Sequence, residues 1–379
     1  MKRFASQYLI TNSGPLLKRA IVTTEDDGTI TNIEDTAGDL TEKYSVEFHN
    51  GIIIPGFVNC HCHLELSHLK GAIAQGGGLG SFIEQIISTR DVHGDRIVTA
   101  AYPADNDMYK GGVSLCADIC NTTETFILKK ESRIRYINLI EVFGLDPDKA
   151  ARRMDEVIRI SVEAKELNLP YSLVPHSVYS MSLSLLRLLR KKSAQNKITS
   201  IHFMETAGEN ALFRRTGFPT RLETVINHAD AVLNEITTSG NLILVHNTFA
   251  DRETIKTVMI RKNLFWCLCP NSNNYIEKTI PPVNLLLEEG CVIVIGTDSL
   301  ASNPKLDILS ELITLQLNFP SLSIEDLVYW ATLNGAKALG EEDRFGKIEP
   351  GKNPGLLLLQ NVDLQNMKLL PESFVTRLV

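Results

Sequence analysis

With 379 residues, 44% of them hydrophobic and 22% charged, the chain has the make-up of an ordinary soluble globular protein, long enough for one large core plus a small satellite. The formal net charge is −7 and no basic run exceeds short pairs such as Lys191-Lys192, so a nucleic acid partner is not expected. No apolar run approaches the roughly 18 residues of a membrane span, so no membrane association is expected either.

The opening stretch MKRFASQYLITNSG is basic but lacks the apolar centre of a secretory signal. Seven scattered cysteines fit reduced thiols in a cytoplasmic protein better than a disulfide framework. Residues 1–55 read as strand-rich: Tyr8–Thr11, Ala20–Thr23 and Thr29–Ile33 are separated by turn signals such as Asp26-Asp27-Gly28.

From Val58 onward, short apolar runs alternate with longer segments that suit helices. Eight runs read as strands: Val58–His63, Gly112–Ile119, Ile137–Phe143, Ser172–Ser177, Ser200–Glu205, Leu242–Asn247, Leu264–Cys269 and Val292–Ser299. Helices are expected over Asp148–Leu167, Leu183–Lys192, Thr220–Thr238 and Pro282–Glu289, then over Leu306–Leu317 and Ile324–Leu339. Near-continuous apolar strands alternating with helices argue for a parallel sheet covered by helices. Eight of them suit an α/β fold of the (β/α)8 TIM-like barrel type, spanning residues 56–344. A doubly wound open sheet competes, but no Gly-rich dinucleotide fingerprint follows an early strand, and Gly76-Gly77-Gly78 reads as a flexible loop. The tail returns to strand-and-turn character, so residues 345–379 are expected to complete a small β-domain with residues 1–55.

Chemistry concentrates at the ends of these strands. In Asn59-Cys60-His61-Cys62-His63, the histidines stand two apart and share a face, as a pair of metal ligands on one rigid strand would. On that segment alone the competing reading is a pair of surface histidines just past a strand. Five of the nine histidines, His61, His63, His176, His202 and His246, fall at or near strand C-terminal ends, where a barrel carries its active site. His202 supplies a third nitrogen. Glu205, three residues on, is placed either to shuttle protons beside an activated water or to cap the next helix. Asp298 follows a fully apolar strand, where an unpaired carboxylate is costly, so ligation or pairing is expected. Thr297 and Ser299 orient it or cap the helix that follows. Lys is absent from Leu173-Val174-Pro175-His176-Ser177, which favours one metal ion, with His176 turned toward substrate.

Two bland features sit nearby. His63 and Glu65 form an H-x-E as in the cytidine-deaminase fold, but the P-C-x-x-C that fold requires is missing. The pairs Cys60/Cys62 and Cys267/Cys269 are spaced too tightly for a zinc site and read as strand thiols.

Taken together, PGFVNCHCHLELS, HFMETAGE, LVHN and IGTDS resemble the amidohydrolase superfamily, in its cytosine-deaminase-like mononuclear aminohydrolase branch. The resemblance spans nearly the whole chain. It implies one divalent metal ion (zinc expected, with iron and manganese suiting the same donors) held by His61, His63, His202 and Asp298. It further implies that Glu205 shuttles protons and that His246 polarises or orients the nucleophile and the tetrahedral centre. HCHLELS followed by Gly80-Ser81-Phe82-Ile83-Glu84-Gln85-Ile86-Ile87 and Arg90 is similar to the 6-amino-6-deoxyfutalosine deaminases. Pro175-His176-Ser177-Val178-Tyr179-Ser180 is similar to a segment of adenosine and S-adenosylhomocysteine deaminases. Two departures stand out: Phe82–Ile86 lacks the tryptophan common after the first strand, and Lys352-Asn353-Pro354-Gly355 replaces the usual GKxAD turn.

The expected reaction is therefore hydrolytic deamination of a small heterocycle, an aminopurine-type base or nucleoside, with Asp298 taking the proton of the attacking water. Glu205 protonates the ring nitrogen next to the attacked carbon, and Glu84 and His176 are candidates for hydrogen bonds to a ribose-like appendage. Alternatives are hydrolysis of another C–N or C–Cl bond (guanine, cytosine, triazine or imidazolonepropionate-like substrates) or a catalytically silent scaffold, which predicts missing ligands. Assembly into a homo-oligomer stays open.

Overall fold

The computed structural model describes residues 1–41, 45–89, 94–213, 228–236 and 239–379. The amino-terminal segment forms β1 (Lys2–Leu9), β2 (Leu17–Lys18), β3 (Ile21–Thr24), β4 (Ile30–Glu34) and β5 (Glu47–Pro55). Strand β1 runs six residues further back than the apolar stretch Tyr8–Thr11 suggested and stops two residues sooner. Its mixed sequence KRFASQYL is held between β3 and β5, so pairing overrides local pattern.

The barrel strands are β6 (Phe57–Cys62), β7 (Val113–Cys120), β8 (Arg135–Val142), β9 (Tyr171–Pro175), β10 (Ile198–Phe203), β11 (Asn241–His246), β12 (Leu264–Leu268) and β13 (Ile293–Ile295). Each coincides with one of the eight runs read from the sequence. They pair in parallel as two four-stranded sheets, β6-β7-β8-β9 and β10-β11-β12-β13. Parallel bridges Ser177↔His202 and Cys62↔Asp298 join the two sheets at both edges and close the ring into a (β/α)8 barrel. The closure matters for chemistry, because both bridges involve residues of the candidate site.

The chain ends meet outside this barrel. β14 (Leu356–Asp363) and β15 (Lys368–Arg377) extend the amino-terminal sheet in the order β15-β14-β5-β1-β3-β4, with β2 paired to β1. One sheet is thus built from both ends of the chain, and its core packs Phe4, Leu9, Val22, Ile53, Leu356 and Leu358.

The helix expected over Asp148–Leu167 is a 3-10 turn, Pro147–Lys149, running into α-helix Ala150–Glu166. Of Thr220–Thr238, His228–Glu235 is helical, while residues 220–227 and 237–238 lie outside the described residues, as does Arg90. Ile324–Leu339 contains a π-helical segment, Trp330–Asn334, between two short α-helical pieces. Among the described residues no helix is long and apolar enough to cross a membrane.

Alternate strand residues fill the barrel interior: Val58, Cys60, Leu115, Ala117, Leu139, Ile243, Val245, Cys267 and Val294 make one buried cluster. The residues between them join the layer under the helices, for example Cys116, Ile140, Leu244, Trp266 and Ile295. Burial on both faces is why these strands read as continuous apolar runs rather than alternating ones.

Candidate active site

At the carboxyl ends of the barrel strands the interior turns polar. His61 and His63 are buried and bring their Nε2 atoms to 3.1 Å from each other. A local irregularity decides that they point inward. Val58 pairs with Leu115, Asn59 with Cys116 and Cys62 with Asp118, so β6 advances three residues while β7 advances two. This bulge resets the alternation after Cys60. Without it, Val58 and Cys60 would share the interior with Cys62, and His61 would face the helices. Gly296 completes the space: a Cβ there would lie 2.8 Å from His61 Cβ and 2.9 Å from Cys267 Sγ.

His202 extends the inward row of β10, and its ligand nitrogen, with those of His61 and His63, lies in a group spanning no more than 4.8 Å, a set that could hold a metal ion. His202 Nδ1 donates to the carbonyl of His176 at 2.7 Å, so its proton sits on Nδ1 and Nε2 offers a lone pair. Asp298 Oδ1 lies 3.4 Å from His63 Nε2 and 3.8 Å from His61 Nε2. Its Oδ2 accepts hydrogen bonds from Ser272 Oγ at 2.6 Å and Ser302 Oγ at 2.8 Å.

These groups fit a divalent cation on physical grounds. Two imidazole nitrogens and a carboxylate oxygen crowd their lone pairs together, which is unfavourable unless a positive charge lies among them. Metal–nitrogen bonds of about 2.0–2.1 Å put two tetrahedral ligand atoms about 3.3 Å apart, close to the spacing found here. Burial, then the neighbouring imidazoles, hold His61 well below the usual histidine range, and burial with His176 lowers His202. Both rings are therefore neutral and able to ligate. Burial works against the charge of Asp298, yet His63, His246 and the two serine hydroxyls outweigh it and keep the carboxyl below its ordinary value.

His246 and Glu205 flank this cluster. His246 is buried, and burial drives it down to about 3. Asn273 Nδ2 stands 3.1 Å from His246 Nδ1 and also donates to Thr248 Oγ1. An amide nitrogen only donates, so Nδ1 accepts and the ring proton sits on Nε2. That Nε2 is buried without a hydrogen-bond partner among the described residues and lies 3.6 Å from Glu205 Oε1. Burial, then the charges of Asp298 and Glu209, push Glu205 well above the carboxylate range. Tyr179 donates its hydroxyl to Glu205 Oε2 at 3.2 Å. Glu209 anchors the loop from behind, accepting the backbone N–H groups of Met204 and Glu205, each at 3.0 Å.

Several of these residues sit on left-handed backbone: Met204 has φ 50°, His246 φ 78°, Asn247 φ 56° and Asp298 φ 58°. Such conformations are costly for residues other than glycine and turn the chain sharply where strands leave the barrel. At His246 the turn breaks alternation, because Ile243 and Val245 already occupy the interior face.

The cluster opens into a cavity of about 560 Å³. His176 lines it, stacked on His202 at a ring distance of 4.6 Å. Glu84 does not line it. Helix Gly78–Thr89 turns Leu79, Phe82, Ile83 and Ile86 to the cavity and leaves Glu84 exposed on another face. Tyr179, Ser272, Asn273 and Glu209 went unassigned in the sequence. Ser272 and Asn273 ride on helix Pro270–Glu277, whose only local signal is a proline at the first helical position. All seven cysteines are free and buried, and none joins a metal-holding group among the described residues.

A closed parallel barrel with this polar mouth defines a hydrolase scaffold, and comparison gives it a family. The chain belongs to the amidohydrolase family, whose profile matches residues 52–376. It is similar to adenosine deaminase of Helicobacter pylori, 25% identical over 338 residues, covering 82% of this chain and 79% of that one. It is also similar to 5-methylthioadenosine/S-adenosylhomocysteine deaminase of Pyrococcus abyssi, 27% identical over 341 residues, covering 86% and 77%. Among solved structures, Helicobacter pylori aminofutalosine deaminase in complex with methylthio-coformycin superposes with a TM-score of 0.76 at 22% identity, over 100% of both chains. At that identity the likeness is one of fold.

Proposed function

We propose that this protein is a metal-dependent aminohydrolase that deaminates an aminopurine-type nucleoside or base, of the adenosine or aminofutalosine kind, and releases ammonia. The observation that carries the reading is the pairing of a buried histidine cluster with a buried carboxyl at its side, Glu205, whose proton affinity burial raises. The names of the relatives, adenosine deaminase and 5-methylthioadenosine/S-adenosylhomocysteine deaminase, support the same chemistry. His61, His63, His202 and Asp298 would hold one divalent cation, zinc by preference, since a solved neighbour from Xanthomonas campestris carries bound zinc. A cation there supplies Lewis-acid activation of water at neutral pH.

The chain's own groups divide the remaining work. Asp298, oriented by Ser272 and Ser302, takes the proton of the attacking water at Oδ1 and passes it to the exocyclic amine, which leaves as ammonia. Glu205 donates its proton to the ring nitrogen beside the attacked carbon, so negative charge does not accumulate on the ring. Tyr179 fixes the rotamer of Glu205 through Oε2. His246 presents Nε2–H toward the attacking oxygen, its tautomer set by Asn273. His176 contacts the substrate from the strand β9 side. Seven free thiols suit a reducing, cytoplasmic setting.

The test is an ammonia-release screen of the metal-loaded protein against aminofutalosine, adenosine-type nucleosides, guanine and cytosine. Turnover confined to aminopurine nucleosides or bases supports the reading. Chloride release from a chlorotriazine, with no ammonia from any purine, overturns it.

A further inference from the structure

Two further carboxylates line the cavity, one of them, Glu141, with Oε1 3.7 Å from His202 Nδ1. Glu65 and Glu141 both line it, and both are buried, with exposures of 4% and 3%. Glu65 Oε2 accepts three hydrogen bonds, from Asn121 N at 3.0 Å, Thr122 N at 3.2 Å and Thr122 Oγ1 at 3.1 Å. No hydrogen bond reaches its Oε1 among the described residues. Asn121 also ties the pair together, because its Nδ2 donates to Glu141 Oε2 at 3.2 Å. One residue thus holds both acids, one through its backbone and the other through its side chain.

The opposite wall is apolar, made by Leu79, Phe82, Ile83 and Ile86 of helix Gly78–Thr89. No lysine or arginine lines the cavity among the described residues, while Glu65 and Glu141 do, apart from Glu205 and Asp298 of the reacting centre. With Oε2 of Glu65 already taken by three donors, its Oε1 is left to accept, so the ligand groups it selects are O–H or N–H donors. Two carboxylates with no lysine or arginine beside them in the lining also repel a phosphate placed on the appendage they face.

We infer that Glu65 and Glu141 form an acceptor pair that reads hydroxyl groups on the substrate's appendage, while the apolar helix face covers that appendage's far end. The inference rests on the deaminase reading and narrows it: the substrate is an uncharged, hydroxylated nucleoside with an apolar terminus, and its phosphorylated counterpart is rejected. The acceptor role passes from Glu84, which faces solvent, to Glu65, two residues after His63.

The experiment compares kcat/KM of the metal-loaded enzyme for an aminopurine ribonucleoside, its 2′,3′-dideoxy counterpart and its 5′-monophosphate. Hydrogen bonds to charged groups are strong enough that removing the hydroxyls is expected to lower wild-type kcat/KM about 100-fold, with a similar loss for the monophosphate. In Glu65→Gln the penalty for losing the hydroxyls is expected to shrink to about 3-fold, with metal content retained. Glu141→Gln provides a second variant with the same readout. An equal fall for both nucleosides in the two variants would reduce these acids to structural roles and overturn the inference. So would efficient turnover of the monophosphate.

If wild type releases no ammonia from any aminopurine, the deaminase reading fails by itself. Calorimetric binding of inosine against 2′,3′-dideoxyinosine then decides the acceptor pair separately. Preference for inosine in wild type that disappears in Glu65→Gln sustains it, and equal binding in wild type sinks it.

Discussion

The lower and upper halves of the barrel interior are made by the same eight strands yet obey different rules. Below, Val58, Leu115, Leu139, Ile243 and Val294 follow regular alternation and pack a dry, apolar floor. Above, alternation is broken by the bulge between Asn59 and Cys62 and by left-handed backbone at His246 and Asp298. The floor explains the chemistry of the ceiling. Removing water from beneath the histidines and Glu205 drives the imidazoles to neutrality and the carboxyl toward its protonated form. The strain and the buried titratable groups of the mouth are tolerated because the floor and the closed hydrogen-bonded ring are stable without them.

The sharpest way to probe this contrast is Glu205→Gln. General acid–base groups contribute about 10²–10⁴-fold, and turnover is expected to fall by that order while metal content stays constant, measured by ammonia release and elemental analysis. Loss of metal in the variant would make Glu205 a ligand instead.

The same variant has a pH signature in the metal-free protein. Glu205 is raised in the folded state, so its stabilising contribution is complete below the ordinary glutamate value of 4.5 and is lost as pH rises through the folded value. Gln imitates the neutral form at every pH. The variant is therefore expected to exceed wild type in urea stability at pH 8, by an advantage that shrinks on acidification and vanishes near the ordinary glutamate value of 4.5. An advantage independent of pH would remove the desolvation argument.

A smaller effect is expected at the seam between floor and mouth. Gly296→Ala pushes a Cβ against His61 Cβ and Cys267 Sγ and is expected to lower unfolding stability by about 1–3 kcal/mol and to weaken metal retention. A variant that binds metal as tightly as wild type would show that His61 has room to move.

Much of the architecture was legible in the chain. Every barrel strand appeared as an apolar run because parallel strands are buried on both faces, and His61, His63, His202, His246 and Asp298 all fell at the ends of such runs. Glu84 illustrates where this reading stops. Helix periodicity sets Glu84 opposite the face shared by Phe82 and Ile86, but only docking of the helix decides that the apolar face, and not Glu84, meets the cavity. Tyr179, Ser272 and Asn273 were equally out of reach, since hydroxyls and amides in loops carry no pattern until a partner arrives from another strand.

Sequence alone determined the strand count, the barrel and the residues gathered at one end of it, because period and burial are local properties of the chain. Tertiary structure alone decided which way those residues face and in what protonation state. One inserted residue in β6, left-handed backbone at His246 and Asp298, and the dry packing beneath them set side-chain direction and dielectric, and both depend on contacts between segments far apart in the chain.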